Sequence, residues 1–151
     1  MDQATARTAL YDFGRDQYKA ACSAVLGAQK VVQVRFGDVA QDDPDNATYW
    51  ARISRRTVAE FQETLRNGSG QRRFCSTGIV FVQLFCPNLK VDSKSLNNMD
   101  RIAEIVRNSF RTYQGEELEF TNAEITDNVN PEPNWLRANI SSAYSYRQFI
   151  S

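Results

Sequence analysis

The stretch from Arg72 to Pro87 constrains the fold more than any other part of the chain. It reads RRFCSTGIVFVQLFCP, and from Gly78 to Cys86 only Gln83 is polar. Because successive strand side chains point to opposite faces, a run that is apolar in both alternating sets predicts a central strand covered on both faces. The β-branched and aromatic content favours a strand over a buried helix, and Pro87 is expected to end the pairing. The two sets are Ile79, Phe81 and Phe85 on one side, and Val80, Val82, Leu84 and Cys86 on the other.

Two segments of the chain show helical periodicity. Apolar residues recur at steps of three and four from Thr5 to Leu26, and Gly27 is well placed to end that helix. A second helix is predicted after the central strand, with Ser93 or Ser95 as its N-cap. Its apolar stripe consists of Leu96, Met99, Ile102, Ala103, Val106, Phe110 and Tyr113.

Four further segments are predicted to be strands, because apolar and polar residues alternate along them: Val31–Phe36, Tyr49–Arg56, Leu118–Thr126 and Trp135–Ile150. Residues 58–65 either extend the second of these or turn into a short helix, and the sequence leaves both open. A turn at Asn67–Gly70 is expected to join this segment to the central strand as a long hairpin, and a bulge is expected at Ser142–Ala143. This order predicts an α+β fold, a mixed or antiparallel sheet of about five strands with two main helices packed on one face.

The composition narrows the functional classes. The 151 residues suggest one domain, and 18 basic against 18 acidic residues argue against a dedicated nucleic-acid binder. There is no histidine, and the three cysteines are isolated, so the commonest metal ligand and general base are both absent. No apolar stretch reaches the roughly 18–20 residues that a membrane helix needs, and the N-terminus lacks the apolar core of a signal peptide. We therefore expect a protein that is made and kept in the cytoplasm.

No catalytic, cofactor-binding or metal-binding set emerges from the motifs. The acidic stretch from Asp38 to Asn46 does not fit the spacing of a calcium loop and is interpreted as a solvated loop. Arginines crowd both arms of the expected hairpin. Such clusters can hold a phosphate, but more often they form salt links between subunits or are solvated. Tyr and Trp together with Arg are typical of protein–protein interfaces, so the composition favours association over catalysis.

The combined motifs resemble the tail terminator (minor tail) proteins of long-tailed bacteriophages. The run GxGQRRF precedes GIVFVQLFCP, a helix with IAEIVRNSF follows, and LEFTNAEI and EPNWLRANISSAYSY complete the pattern. The similarity spans nearly the whole chain, so residues 1–151 are expected to form a single domain of this kind. The resemblance implies an α+β structural virion protein that forms a hexameric ring.

The ring is expected to cap the tail tube, to stop its polymerisation and to offer a docking surface for the head and neck. The implied partners are further copies of the chain, the tail tube protein, a head-completion or neck protein and the tape measure protein. Genomic DNA would pass through without specific binding, and no membrane is involved. The expected location is the head-proximal end of the virion tail.

We expect particular residues to serve this assembly. Contacts with a neighbouring subunit or the tube are assigned to Arg55, Arg56, Arg66, Asn67, Gly68, Arg72, Arg73 and Phe81. Acidic side chains that would face the channel are Asp38, Asp42, Asp43, Glu117 and Glu119. Acidic walls would let DNA slide, because each neutralised phosphate strengthens binding by counterion release.

Two alternatives stay open. The first is a head–tail joining protein, which would form a neighbouring ring of the virion with the same kind of rotational symmetry. A small cytoplasmic enzyme or ligand-binding domain belongs to another class and would need a pocket with convergent polar groups. Under that alternative, Asp38, Glu119 and the Arg72–Arg73 pair are the residues whose mutation would abolish turnover.

Overall fold

The computed structural model describes residues 1–37, 44, 48–64, 70–87, 94–127 and 135–150. In chain order the elements are α1 (Gln3–Leu26), β1 (Gln33–Phe36), β2 (Trp50–Gln62), β3 (Arg72–Pro87), α2 (Lys94–Thr112), β4 (Leu118–Asp127) and β5 (Trp135–Ile150). The five strands form one sheet in the order β1-β2-β3-β5-β4. β1 runs parallel to β2 and the other pairs are antiparallel, so the predicted α+β class with a mixed sheet is confirmed.

β3 is the central strand, with the bounds that its apolar pattern predicts. It pairs with β2 on one side and with β5 along its full length on the other. Val82 illustrates the result, because it lies between Ile53 and Ile140 and all three side chains are buried. β2 continues in pairing as far as Gln62 opposite Phe74, so residues 58–62 extend the strand and do not form a helix.

Both helices pack on the same face of the sheet. Asp2 caps α1, since its side chain accepts a hydrogen bond of 2.7 Å from the Thr5 amide, and this interaction lowers the pKa of the Asp2 carboxyl. Gly27 ends α1 with a φ of 96°, as predicted. The main core brings together the helices with the inward side chains of the sheet, including Leu10, Val106, Val82 and Ile140.

One of the two N-cap candidates for α2 is excluded, and one member of its predicted apolar stripe is wrong. Ser95 lies inside the helix, where it is buried, so it is not the N-cap; Ser93, the other candidate, lies outside the described residues. Leu96 is 42% exposed and does not belong to the buried stripe. The reason is the helical period: at about 100° per residue, Ser95 lies nearer than Leu96 to the middle of the stripe formed by the buried residues of α2.

The predicted bulge at Ser142–Ala143 is also wrong, because β5 pairs with β3 without a shift of register. The extra residue lies in the partner strand β4, between Thr121 and Glu124. There Asn122 adopts a φ of 55°, a left-handed conformation that Asn tolerates better than most residues. The Ser142 hydroxyl donates to the Thr121 carbonyl at 3.1 Å and so supports the irregularity from the straight strand.

A second bulge lies in β2, between Thr57 and Ala59. Both bulges fall close to the level of Gly78, which faces Thr57 in β2 and Tyr144 in β5. A Cβ atom at Gly78 would lie 2.5 Å from the Tyr144 hydroxyl and would also collide with the Arg56 carbonyl oxygen. Glycine is therefore required here for the close approach of Tyr144 to the β3 backbone.

We expect Gly78→Ala to lower the free energy of unfolding by about 1–3 kcal/mol, since the added methyl meets backbone and a buried ring. Gly14→Ala is the control: its Cβ would lie 3.0 Å from Ile53 Cδ1, which is a side-chain atom and not backbone, and alanine favours the helix. Urea denaturation of both variants measures the difference. Equal stability of Gly78→Ala and the parent protein would contradict the assigned packing.

Burial raises the pKa of the Cys22 thiol to about 11 and that of Cys86 to about 12. Because the thiolate is the reactive species, neither thiol should react with Ellman's reagent at pH 8 in the folded protein. Both should react once denaturant unfolds the chain. Cys75→Ser isolates these two thiols for the measurement, and fast labelling of the folded variant would contradict the burial.

Candidate functional site

We call the sheet face turned away from α1 and α2 the open face, because no helix packs on it in the described part of the chain. On β3 this face presents Ile79, Phe81, Gln83 and Phe85. Phe85 is buried, whereas Ile79 and Phe81 are only half-buried. The second apolar set of the central strand is thus covered at one end and accessible in the middle.

An aromatic cluster covers the buried end of the open face. The rings of Trp50 and Phe85 stack with centroids 3.9 Å apart, and Trp135 meets Trp50 edge-on at 5.6 Å. The guanidinium groups of Arg35 and Arg52 lie 5.2 Å from the Trp50 ring and 5.7 Å from the Phe85 ring, respectively. Arg side chains thereby shield this cluster, which is separate from the main core.

A hollow of about 380 Å³ lies in the middle of the open face. It occupies the level of the sheet where the β2 bulge, Gly78 and the β4 bulge come together, and Val58, the bulge residue of β2, is 62% exposed beside it. Its volume is at the lower end of the range of ligand pockets, but none of its lining residues is charged, so it lacks the convergent charged groups that would orient a charged substrate. The lining is mostly apolar or hydroxylated: Val58, Thr77, Gly78, Ile79, Thr121, Ala143, Tyr144 and Ser145.

A network of four charges occupies the end of the open face nearest the β2–β3 hairpin. Glu63 lies 2.6 Å from Arg73 Nε and 3.4 Å from Arg147 Nε, and Arg147 also donates to Glu119 at 3.0 Å. The hydrogen bond that Arg147 donates to the Glu119 carboxylate is the main reason that the pKa of Arg147 is raised. Because these groups are partly exposed, the network contributes little to stability beyond fixing the side chains against one another.

The described structure locates part of the predicted contact set. Arg56 lies exposed on the open face, whereas Arg55 projects to the helix side of the same strand. Arg73 belongs to the charge network, and Arg72 is exposed on the opposite side of β3. Phe81 lies half-buried on the open face. Arg66, Asn67 and Gly68 lie outside the described residues.

The structure also describes only some of the acidic residues that we expected to face the channel. Glu119 is paired with Arg147, and Glu117 is 64% exposed with its carboxylate 3.9 Å from the Met1 amino group. Asp38, Asp42 and Asp43 lie outside the described residues. Arg73 and Glu119, which were assigned to different roles, are therefore brought into one network through Glu63 and Arg147.

Sequence reasoning missed Glu63, Arg147 and Val58 as parts of this surface. Arg147 was visible only as a polar position of the last strand, and its partner Glu63 follows the end of β2 that the sequence left undecided. The bulge reverses the alternation after Thr57, so strict period-two reading assigns the residues beyond it to the wrong face.

Within the described residues, no group of three or more His, Cys, Asp and Glu side chains could hold a metal ion. In the same part of the chain, no helix is long and apolar enough to cross a membrane.

Comparison with known proteins finds structural likeness only. No protein-family model matches the chain, and no curated protein does so. One solved structure has a TM-score of 0.53 and 17% sequence identity to it, over 93% of this chain and 96% of its own. At that identity the likeness concerns the fold and carries no statement about function.

The two faces of β3 should respond differently to a buried charge. Phe81→Asp places a carboxylate on the half-buried open face, so the protein should stay folded, with a melting temperature within several degrees of the parent. The adjacent Val82→Asp places the same group in the core, where Val82 is 0% exposed, and should prevent folding. Circular dichroism melting of both variants checks this, and equal loss of structure would contradict the assignment of the open face.

Proposed function

We propose that the chain is a tail terminator of a long-tailed bacteriophage. It would act by assembly and not by catalysis: copies close into a hexameric ring on the end of the tail tube, stop its growth and provide the surface on which the head and neck dock. The sequence resemblance along nearly the whole chain suggests this function, and the α+β fold is compatible with it.

The observation that best supports the proposal is the open face. The sequence of β3 is apolar on both sides, yet no described element packs over Ile79 and Phe81 or fills the hollow beside them. A strand with two apolar faces in a two-layer domain leaves one face to be covered by another molecule. A subunit of a ring offers such a partner, because each copy presents different surfaces to its two neighbours.

The charge of the chain is also compatible with a DNA conduit. Basic and acidic residues balance at 18 each, so the ring as a whole would not hold DNA by counterion release. Glu117 is available to line such a channel, since it is exposed and only loosely associated with the Met1 amino group.

Light scattering, with and without purified tail tubes, tests the proposal. A hexamer of 17.2 kDa subunits has a mass of about 103 kDa, and we expect this species alone or bound to tube ends. Phe81→Asp should fold but fail to form it, whereas the helix-face substitution Glu104→Lys should assemble normally. A protein that stays monomeric and does not bind tubes would contradict the proposal.

The binding partner distinguishes a tail terminator from the alternative, a head–tail joining protein of the neck. A terminator caps isolated tail tubes and halts their growth, whereas a head–tail joining protein binds DNA-filled heads and leaves tube ends free. Capping of tubes in the absence of heads is the result that we expect.

A further inference from the structure

The two ends of the open face differ in charge. At the end nearest the β2–β3 hairpin, Glu63 and Glu119 neutralise Arg73 and Arg147. The other end, which we call the basic end, consists of two rows of residues that face one another across the strands. These rows contain three arginines and no acidic residue: Gln33, Trp50, Phe85 and Arg137 in the first, and Arg35, Arg52, Gln83, Asn139 and Thr126 in the second.

Two of these arginines lie directly opposite each other. Arg35 of β1 pairs with Arg52 of β2, and like charges at facing positions of neighbouring strands repel. Both side chains are half-buried, where salt and water screen charges less than at the exposed surface. Their guanidinium groups are held over the rings of Trp50 and Phe85. An anion bound between the two guanidinium groups would remove their repulsion.

Arg52 has hydrogen-bond donors to spare for such an anion. Its Nε donates to Gln83 Oε1 at 2.8 Å, and neither of its terminal nitrogens has an acceptor in the described part of the chain. This hydrogen bond also fixes the guanidinium group, so little side-chain freedom is lost when a ligand binds. Because the Gln83 oxygen is occupied by Arg52, the amide nitrogen of Gln83 is a further donor beside it.

The chemistry of the basic end favours a protein carboxylate over nucleic acid. Single-stranded nucleic acid binds by stacking its bases on accessible rings, but Trp50 and Phe85 are only 3% and 2% exposed. The chain carries 18 basic and 18 acidic residues, so it does not attract a polyanion over a long range. Guanidinium groups bind carboxylates through paired hydrogen bonds, and arginine with tryptophan is typical of the centres of protein–protein interfaces.

From these observations we infer that the basic end of the open face is a docking site for an acidic segment of a partner protein. One carboxylate of that segment binds between Arg35 and Arg52, and Gln83 donates to it from the neighbouring strand. Charge complementarity identifies the partner, because the basic end is the part of this face where arginines are not matched by described acidic residues. The inference does not rest on the proposed function, since it holds for any partner with an acidic segment.

The protein contains its own reporter for this site. Its two tryptophans are Trp50 and Trp135, and their rings meet edge-on at 5.6 Å. Because the Arg35 guanidinium lies over Trp50, an anion that binds there should change the tryptophan fluorescence of the full chain. We expect a saturable change with a capped tetraglutamate peptide at about 0.1 M salt, and none with capped tetraglutamine. At 1 M salt the binding should weaken, as the Debye length falls from about 10 Å to about 3 Å.

Substitutions of Arg52 separate this site from general charge attraction. Arg52→Gln should weaken tetraglutamate binding about tenfold or more, since it removes a hydrogen-bonded charge from the site. Arg101→Gln makes the same change of charge on the exposed side of α2 and should bind like the parent protein. Circular dichroism establishes that each variant folds. Arg52→Lys keeps the charge but loses the paired donors, so it should show a smaller loss, and it replaces Arg52→Gln if that variant does not fold.

The inference is overturned if tetraglutamate leaves the fluorescence unchanged, or if Arg52→Gln and Arg101→Gln bind it equally well. Tighter binding of inorganic phosphate, or of pentathymidylate with its four phosphate charges, would identify a phosphate site and would also overturn it.

The acidic stretch of the chain itself provides a further test. A fluorescence response that appears only in the combined variant Asp38→Asn, Asp42→Asn, Asp43→Asn and Asp45→Asn would mean that the chain's own carboxylates fill the site, against the inference. The parent protein should respond without these changes. A parent that binds tetraglutamate as expected but does not bind or cap tail tubes would contradict the terminator proposal alone, and a tube-capping protein without the fluorescence response would contradict only the docking site.

Discussion

The apolar character of β3 on both faces is the constraint on which the rest of the structure depends. Burial of apolar surface contributes about 25 cal/mol per Å², so neither face of the strand can be left in water at low cost. The two helices cover the face that carries Val80, Val82 and Leu84, and the stack of Trp50, Phe85 and Trp135 covers one end of the other. What remains accessible, around Phe81 and the hollow, is the natural place for another molecule.

Much of the fold follows from the sequence because its strongest signals are periodic. The bounds of β3 and β5 and the end of α1 at Gly27 are correct to the residue, since each is fixed by an apolar run, a proline or a glycine with positive φ. The wrong predictions concern positions where the sequence pattern alone does not determine which side chain is buried or which strand carries the extra residue. Ser95 replaces Leu96 in the core because of helical phase, and the bulge lies in β4 because Asn122 accepts a left-handed conformation that Ser142 does not need.

The candidate site was less predictable than the fold. Arg56, Arg73 and Phe81 lie on or beside the predicted surface, but their neighbours come from distant parts of the chain. Arg147 meets Glu63 across 84 positions only because β3 separates β2 from β5 by one strand. The bulge at Val58 then shifts the alternation, so the face on which Phe61 lies cannot be read from strict alternation. Long-range pairing and bulges, not local propensity, determine which charges meet.

The assembly that we propose would give these features one physical explanation. A chain with balanced charge and an accessible apolar sheet face would suit repeated contact with copies of itself, and its internal salt links already neutralise several of the charges on that face.

Under the proposed function the chain would be part of a virion, and cryo-electron microscopy of that virion is the most direct measurement. The expected result is a six-fold ring at the head-proximal end of the tail tube, with Phe81 and the hollow covered by a neighbouring subunit or by the tube. A ring elsewhere in the particle, or one in which the open face is bathed in solvent, would contradict the central claim that this face is an assembly surface.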